Sequence, residues 1–197
     1  MDVSFDIDAR LGLPDDLKLL LQTYPRETWQ EHPNIAGTAR FWLSRHDMFR
    51  ELGAALTEAL RQEREGQVAI GPFQQWFVPR LGFFLNELNG HHQIEDTVYF
   101  PAYQQAEPRL ARGFELLDAD HVTIHHDLES VAATANGFLA TMGEGAEASD
   151  AVRRARDAYQ AASEQLIRRL VRHLGDEEDL IIPLILDRGD AALESSA

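Results

Sequence analysis

HHQIEDTVYFP, residues 91–101, is the stretch whose reading decides the fold. It sets a histidine and a carboxylate four apart, His91 and Glu95, with Pro101 ten residues after the histidine. The same frame returns at 173–183 as HLGDEEDLIIP, with His173, Glu177 and Pro183 in the corresponding places. On an α-helix, residues i and i+4 lie one above the other, about 6 Å apart along the axis. Each stretch therefore offers one imidazole and one carboxylate to a single point. With further histidines between and before them, the two pairs predict a metal centre assembled from several helices.

The flanking sequence supplies those helices. Leu81, Phe84, Leu88, His91, Glu95 and Val98 recur at steps of three and four, which predicts a helix over about 80–99 with a core-facing stripe. Pro79 suits its start better than its interior, and residues 73–78 add a short helical turn before it. Around the second frame, Tyr159, Ala162, Leu166, Leu170, His173, Glu177, Leu180 and Leu184 form the same pattern. That helix starts at Ser149 or Asp150 as N-cap, after the small polar loop 143–150, and ends near Ile182, ahead of Pro183. Between the two, Phe114, Leu117, His121, His125, Leu128, Ala132, Ala135 and Leu139 predict a helix that ends near Met142. Before them, Trp42, His46, Phe49, Gly53, Leu56 and Leu60 predict one over about 35–64. Upstream, LPDDLKLLLQTY is readable as a short helix with Pro14 in its first turn. The fold class is all-α: an up-down-up-down four-helix bundle over residues 36–185, a short N-terminal extension (1–35) packing on it, and a frayed tail (186–197).

A carboxylate on a buried stripe is costly unless paired or metal-bound, so Glu95 is the most telling member of the set. His92 and Asp96 fall about 100° round the helix and read as polar surface or outer partners. His126 is off the line of His125 and ranks below it, and Glu178 is one step round from Glu177 and stands as its alternative. The ligand candidates are thus His46, His91, Glu95, His121, His125, His173 and Glu177, with every long helix contributing.

Composition narrows the partners. With 33 acidic against 18 basic residues the chain carries a formal charge of −15, which repels phosphate backbones and argues against nucleic acid. No apolar run is long enough to span a membrane, and the acidic N-terminus does not read as a signal peptide. Cysteine is absent, which removes thiolate ligands and disulfides and fits a cytoplasmic location.

Five imidazoles and two carboxylates exceed the four ligands of a tetrahedral zinc and suit two ions sharing carboxylate bridges. Nitrogen and oxygen donors accept iron, manganese or zinc, and iron is the choice that allows redox or oxygen chemistry. Glu95, Glu177 and a solvent-derived bridge would offset the metal charge, and an ion with fewer protein ligands would keep a position open for a small molecule.

At these residues the sequence resembles the hemerythrin-like, HHE cation-binding family. The motif is carried by HHQIED with Pro101, by HLGDEE with Pro183, by His46 and by the His121–His125 pair. The resemblance covers about residues 36–185. It implies a four-helix bundle with a non-haem di-iron centre joined by an oxo or hydroxo bridge. Its terminal ligands would be His46, His91, His121, His125 and His173, and its bridging carboxylates Glu95 and Glu177. Oxygen-carrying members place an aspartate five residues after the last histidine. Here position 178 is Glu and so is 177, so the second bridge stays open between them. The implied function is binding or sensing of O2, with NO, peroxide and redox state as further candidates, rather than turnover. The alternatives are a di-iron peroxidase, oxidase or NO-detoxifying enzyme, with Tyr99, His92 or His126 as its acid–base group, and an iron-storage or metal-handling protein.

Overall fold

Apolar side chains returning every three or four residues wind most of the chain into helix. The computed structural model describes residues 5–142 and 149–190. The long helices are α1 (Thr38–Arg64), α2 (Ile70–Ile94), α4 (Ala111–Thr141) and α5 (Asp150–Arg188). Between α2 and α4 lie a π-helical turn, Glu95–Tyr99, and the short α3 (Phe100–Ala106). No strand occurs among the described residues. Ahead of α1, the expected short helix contracts to the 3-10 turn Asp15–Leu17, and two more such turns follow, Arg26–Glu31 and Pro33–Ile35. Ser149 is the N-cap of α5, its hydroxyl accepting from the Val152 amide at 3.2 Å. Residues 143–148 of the expected loop lie outside the described residues.

Both prolines expected at helix boundaries lie inside helices instead, Pro79 in α2 and Pro183 in α5. An interior proline costs about 3 kcal/mol, whereas burying one Leu or Ile side chain returns roughly 1.5–3 kcal/mol. Beyond Pro183, Leu184, Ile185 and Leu186 are at most 1% exposed, so continuing the helix wins. The tail expected from residue 186 therefore begins as buried helix, and residues 191–197 lie outside the described residues. Phe73 and Phe77 before Pro79 and Leu81 and Phe84 after it are all buried, and the same balance applies there.

Packing divides the chain into two units. The first holds residues 1–48, 91–122 and 169–197. Its core joins Leu13, Leu17, Trp29 and Ile35 of the N-terminal segment to Trp42, Phe100, Phe114, Ile181 and Ile185. The end of α5 is apolar all round because that segment covers it. Gly37, with φ of +74°, leaves room for Asp190, whose Oδ2 accepts from the Thr38 amide at the start of α1 (3.2 Å). The second unit holds residues 49–90 and 123–168. It packs Phe49 edge-on to Phe84, stacks Phe73 on Phe77, and buries the Glu63–Arg156 pair with two hydrogen bonds of 2.6 and 2.8 Å.

The π turn changes the phase of the stripe. An i→i+5 turn consumes one residue more than an α-helical one. Val98, expected inside, is therefore 47% exposed, and Phe100 takes the buried position at 1%.

Gly113 marks a close approach of α4 to α5, since a Cβ there would stand 2.6 and 2.8 Å from the two methyl carbons of Leu180. Gly113→Val is expected to cost about 1–3 kcal/mol by overpacking and to lower the melting temperature by roughly 2–4 °C per kcal/mol. An unchanged thermal melt would contradict the close approach.

Candidate metal centre

The first unit gathers the chemistry. α1 brings His46, the last turn of α2 brings His91 and His92, and the π turn brings Glu95. α4 contributes His121, and α5 His173 and Glu177. Two largely buried groups form, each with its donor atoms within 4.8 Å of one another: His46, His91, Glu95 and Glu177 in one, His92, His121 and His173 in the other; a third, Asp96, Asp118 and His121, has exposed carboxylates. The imidazole Nε2 atoms of His46 and His91 are 3.3 Å apart, and those of His121 and His173 3.1 Å.

The two carboxylates lie between the groups. Glu95 turns Oε1 to His91 Nε2 (3.0 Å) and Oε2 to His121 Nε2 (3.6 Å). Glu177 Oε2 lies 3.5 Å from His46 Nε2 and 3.4 Å from His173 Nε2. These approaches lack hydrogen-bond geometry: both Glu95 oxygens, Glu177 Oε2 and His92 Nε2 are buried without a hydrogen-bond partner. Leaving a buried polar atom unsatisfied costs on the order of 1–3 kcal/mol, more for a charged one. Four such atoms in one place, all of metal-ligating type, fit a cation set.

The outward sides of these ligands are occupied. Glu178 Oε1 is 3.0 Å from His46 Nδ1, Asp96 Oδ1 2.6 Å from His121 Nδ1, and Asp120 Oδ2 3.3 Å from His173 Nδ1. Trp42 Nε1 donates to the second oxygen of Glu177 at 2.6 Å. A carboxylate on Nδ1 fixes the tautomer and leaves Nε2 free to ligate.

Electrostatics follow from burial. Burial, and then the charge of Glu177, push the Glu95 carboxyl well above the usual carboxylate range. Burial presses Glu177 the same way, but His46, His173 and His91 outweigh it and hold this carboxylate below its usual range. Burial lowers the His91 imidazole to about 3, drives His92 well below its ordinary value, and lowers His121 against the pull of Asp96. At His173 burial also acts downward, but the nearby Asp120 and Glu177 carboxylates prevail and raise it to about 9. Neutral imidazole is the ligating form, and burial favours it at His91, His92 and His121.

Six of the seven residues expected from the sequence come together here. His125 does not. Its side chain is 55% exposed and lies 3.5 Å from Glu129 on its own helix. The buried line of α4 runs Leu117, His121, Ile124, Leu128, so the step after His121 is three residues, and His125 falls one residue, about 100°, round from Ile124. His126 is more exposed still. His92, read as surface or outer partner, is 5% exposed and takes the place in the three-histidine group. The steps Leu88 to His92 and His92 to Glu95, four and three residues, were the available signal, for they flank the stripe as well as His91 does. Glu178, the alternative to Glu177, faces His46 Nδ1 from outside. Asp120, 1% exposed, is an outer partner that sequence reasoning missed.

No curated protein and no solved structure matches the chain. The family model described as the hemerythrin HHE cation binding domain matches residues 38–185. That span takes in all four long helices up to Ile185 and every residue of the two donor groups, and it places the chain in the hemerythrin HHE cation-binding family.

Proposed function

We propose that this protein holds two iron ions between its histidine groups and binds or senses O2, with NO and peroxide as further ligands. The observation that carries the reading is the set of four unpartnered buried donor atoms, on Glu95, Glu177 and His92, lying between two groups of imidazoles. A bound iron pair would supply one-electron redox chemistry and affinity for diatomic ligands, and zinc or manganese would fit the same donors.

The chain's own residues divide the work unequally. His92, His121 and His173 would hold one ion and His46 and His91 the other, and Glu95 and Glu177 would be available to both. The two-histidine side offers fewer protein donors, so a small ligand would bind there. It also has the more accessible histidine: the His91 side chain is 9% exposed, against 4% for His121 and 0% for His173 on the other side. The Trp42 ring borders it, 6.1 Å from His91 and 5.0 Å from Tyr99. Of the acid–base candidates for an enzyme, His126 is exposed, His92 is taken up by the three-histidine group, and Tyr99 stands against Trp42. This favours binding over turnover. An up-down-up-down bundle over 36–185 with an extension at 1–35 accompanies the reading. It is supported by the first unit taking the beginnings of α1 and α4 and the ends of α2 and α5. A cytoplasmic setting, suggested by the cysteine-free sequence, belongs to the same proposal.

Protein produced in iron-rich medium is expected to carry two irons per chain by metal analysis. Its near-ultraviolet and visible bands should bleach on reduction and return in air. Iron that leaves easily and a spectrum indifferent to O2 and NO would favour metal handling instead. His92→Ala is expected to lower the iron content from two towards one and to reduce the melting temperature, since metal binds only the folded state. His125→Ala should retain both ions, and loss of iron from His125→Ala alone would restore His125 to the ligand set.

A further inference from the structure

Two arginines of the segment ahead of α1 reach the outer side of the centre, one on each half. Arg26 donates from Nη1 to Glu178 Oε2 (2.9 Å), from Nε to Asp179 Oδ1 (2.6 Å) and from Nη2 to the Gly175 carbonyl (2.9 Å). The other oxygen of Glu178 faces His46 Nδ1. Arg10 donates from Nη1 to Asp120 Oδ1 (2.9 Å), from Nη2 to Asp120 Oδ2, from Nε to Asp176 Oδ2 (2.7 Å) and from Nη1 to the Phe5 carbonyl (3.4 Å). Asp120 Oδ2 in turn faces His173 Nδ1. Both chains run guanidinium, carboxylate, imidazole Nδ1. Both begin outside residues 38–185, the span the family model matches.

A carboxylate can only accept, so at Nδ1 it requires the proton there and leaves the Nε2 lone pair for the centre. Asp120 and Glu178 have side chains 1% and 4% exposed, and a buried carboxylate needs donors for its oxygens. The planar fork of an arginine supplies them and fixes the carboxylate in position. From this geometry we infer that the N-terminal segment is a positioning strap. Arg26 sets His46 and Arg10 sets His173, so that docking of the segment and retention of each cation are coupled. The inference rests on the metal-centre reading and adds to it a part of the chain that contributes no ligand.

The test uses the full-length chain loaded with Co2+, whose visible spectrum reports ligand geometry, and follows release of both ions to excess chelator. Arg26 is 44% exposed, so Arg26→Ala is the variant least apt to disturb folding. It is expected to quicken one of the two release phases about 10–100-fold, change the spectrum of that ion and leave the other phase near wild type. Arg26→Lys, keeping the charge without the fork, should recover the loss in part. Arg10→Lys should quicken the other phase. Asp16→Ala, which removes the strap's Arg112–Asp16 pair of 2.6 Å away from both relays, should release both ions as wild type does. Wild-type release from Arg26→Ala would overturn the inference while leaving the metal centre standing. So would equal acceleration of both phases with an unchanged spectrum, or the same phase answering to both arginines. A wild-type chain that takes up neither Co2+ nor Fe2+ would overturn the metal-centre reading, and the strap with it.

Discussion

Two carboxylates buried to zero exposure without a hydrogen-bond donor for their inner oxygens set the terms for the rest of the first unit. Taking a charge out of water costs several kcal/mol even after relaxation, and the protein must compensate it or neutralise the group. Without a cation, Glu95 is pushed towards its protonated form, and Glu177 is held below its usual range by the imidazoles around it, with Trp42 donating to its other oxygen. That arrangement is poor as a structural core, since apolar residues of the same volume would pack there at no desolvation cost. It becomes favourable when positive charge sits between the two histidine groups. The fold therefore makes sense as a container whose stability is completed by what it holds.

The π turn belongs to the same constraint. It begins at Glu95, within the frame His91–Glu95, and π turns are frequent at functional sites. Upstream of it, His91 and His92 flank the buried stripe of α2 and serve different groups. Downstream, the extra residue rotates Val98 out and Phe100 in, and the Phe100 ring stacks on His121 at 5.4 Å. The irregular turn thus starts at the carboxylate that lies between the two groups and then returns the chain to packing.

Much of this was legible in the sequence. The H-x3-E frames, the helical stripes and the inward placement of His46, His121 and His173 all follow from local spacing, which the helix converts directly into faces. The errors arose where two local rules competed. At Pro79 and Pro183 the stripe ran through the proline, and burial prevailed over the proline rule. After His121 the sequence allowed a step of three to Ile124 or of four to His125, and only packing distinguishes them. His92 was undervalued because a stripe was read as one line rather than a band about 100° wide. The strap left no local trace at all. Arg10 meets Asp176 from 166 residues away and Arg26 meets Glu178 from 152, and no periodicity encodes such pairs.

The charges around the centre obey a rule that depends on burial rather than on chemistry alone. Three carboxylates face the Nδ1 atoms of the grouped histidines from outside: Asp120, Glu178 and Asp96. The first two have side chains 1% and 4% exposed, and each meets an arginine from the strap. Asp96 is 41% exposed and has the Asp118 carboxylate beside it instead of an arginine. A guanidinium thus meets each of the two carboxylates that are shut off from water, supplying the donors that a buried acceptor needs. The run Asp176-Glu177-Glu178-Asp179 shows the same economy over four consecutive residues. Glu177 points at the centre, and its three neighbours all pair with Arg10 or Arg26. One turn of helix thus divides an acidic run into a carboxylate that faces the histidine groups and the anchors of the strap beside it.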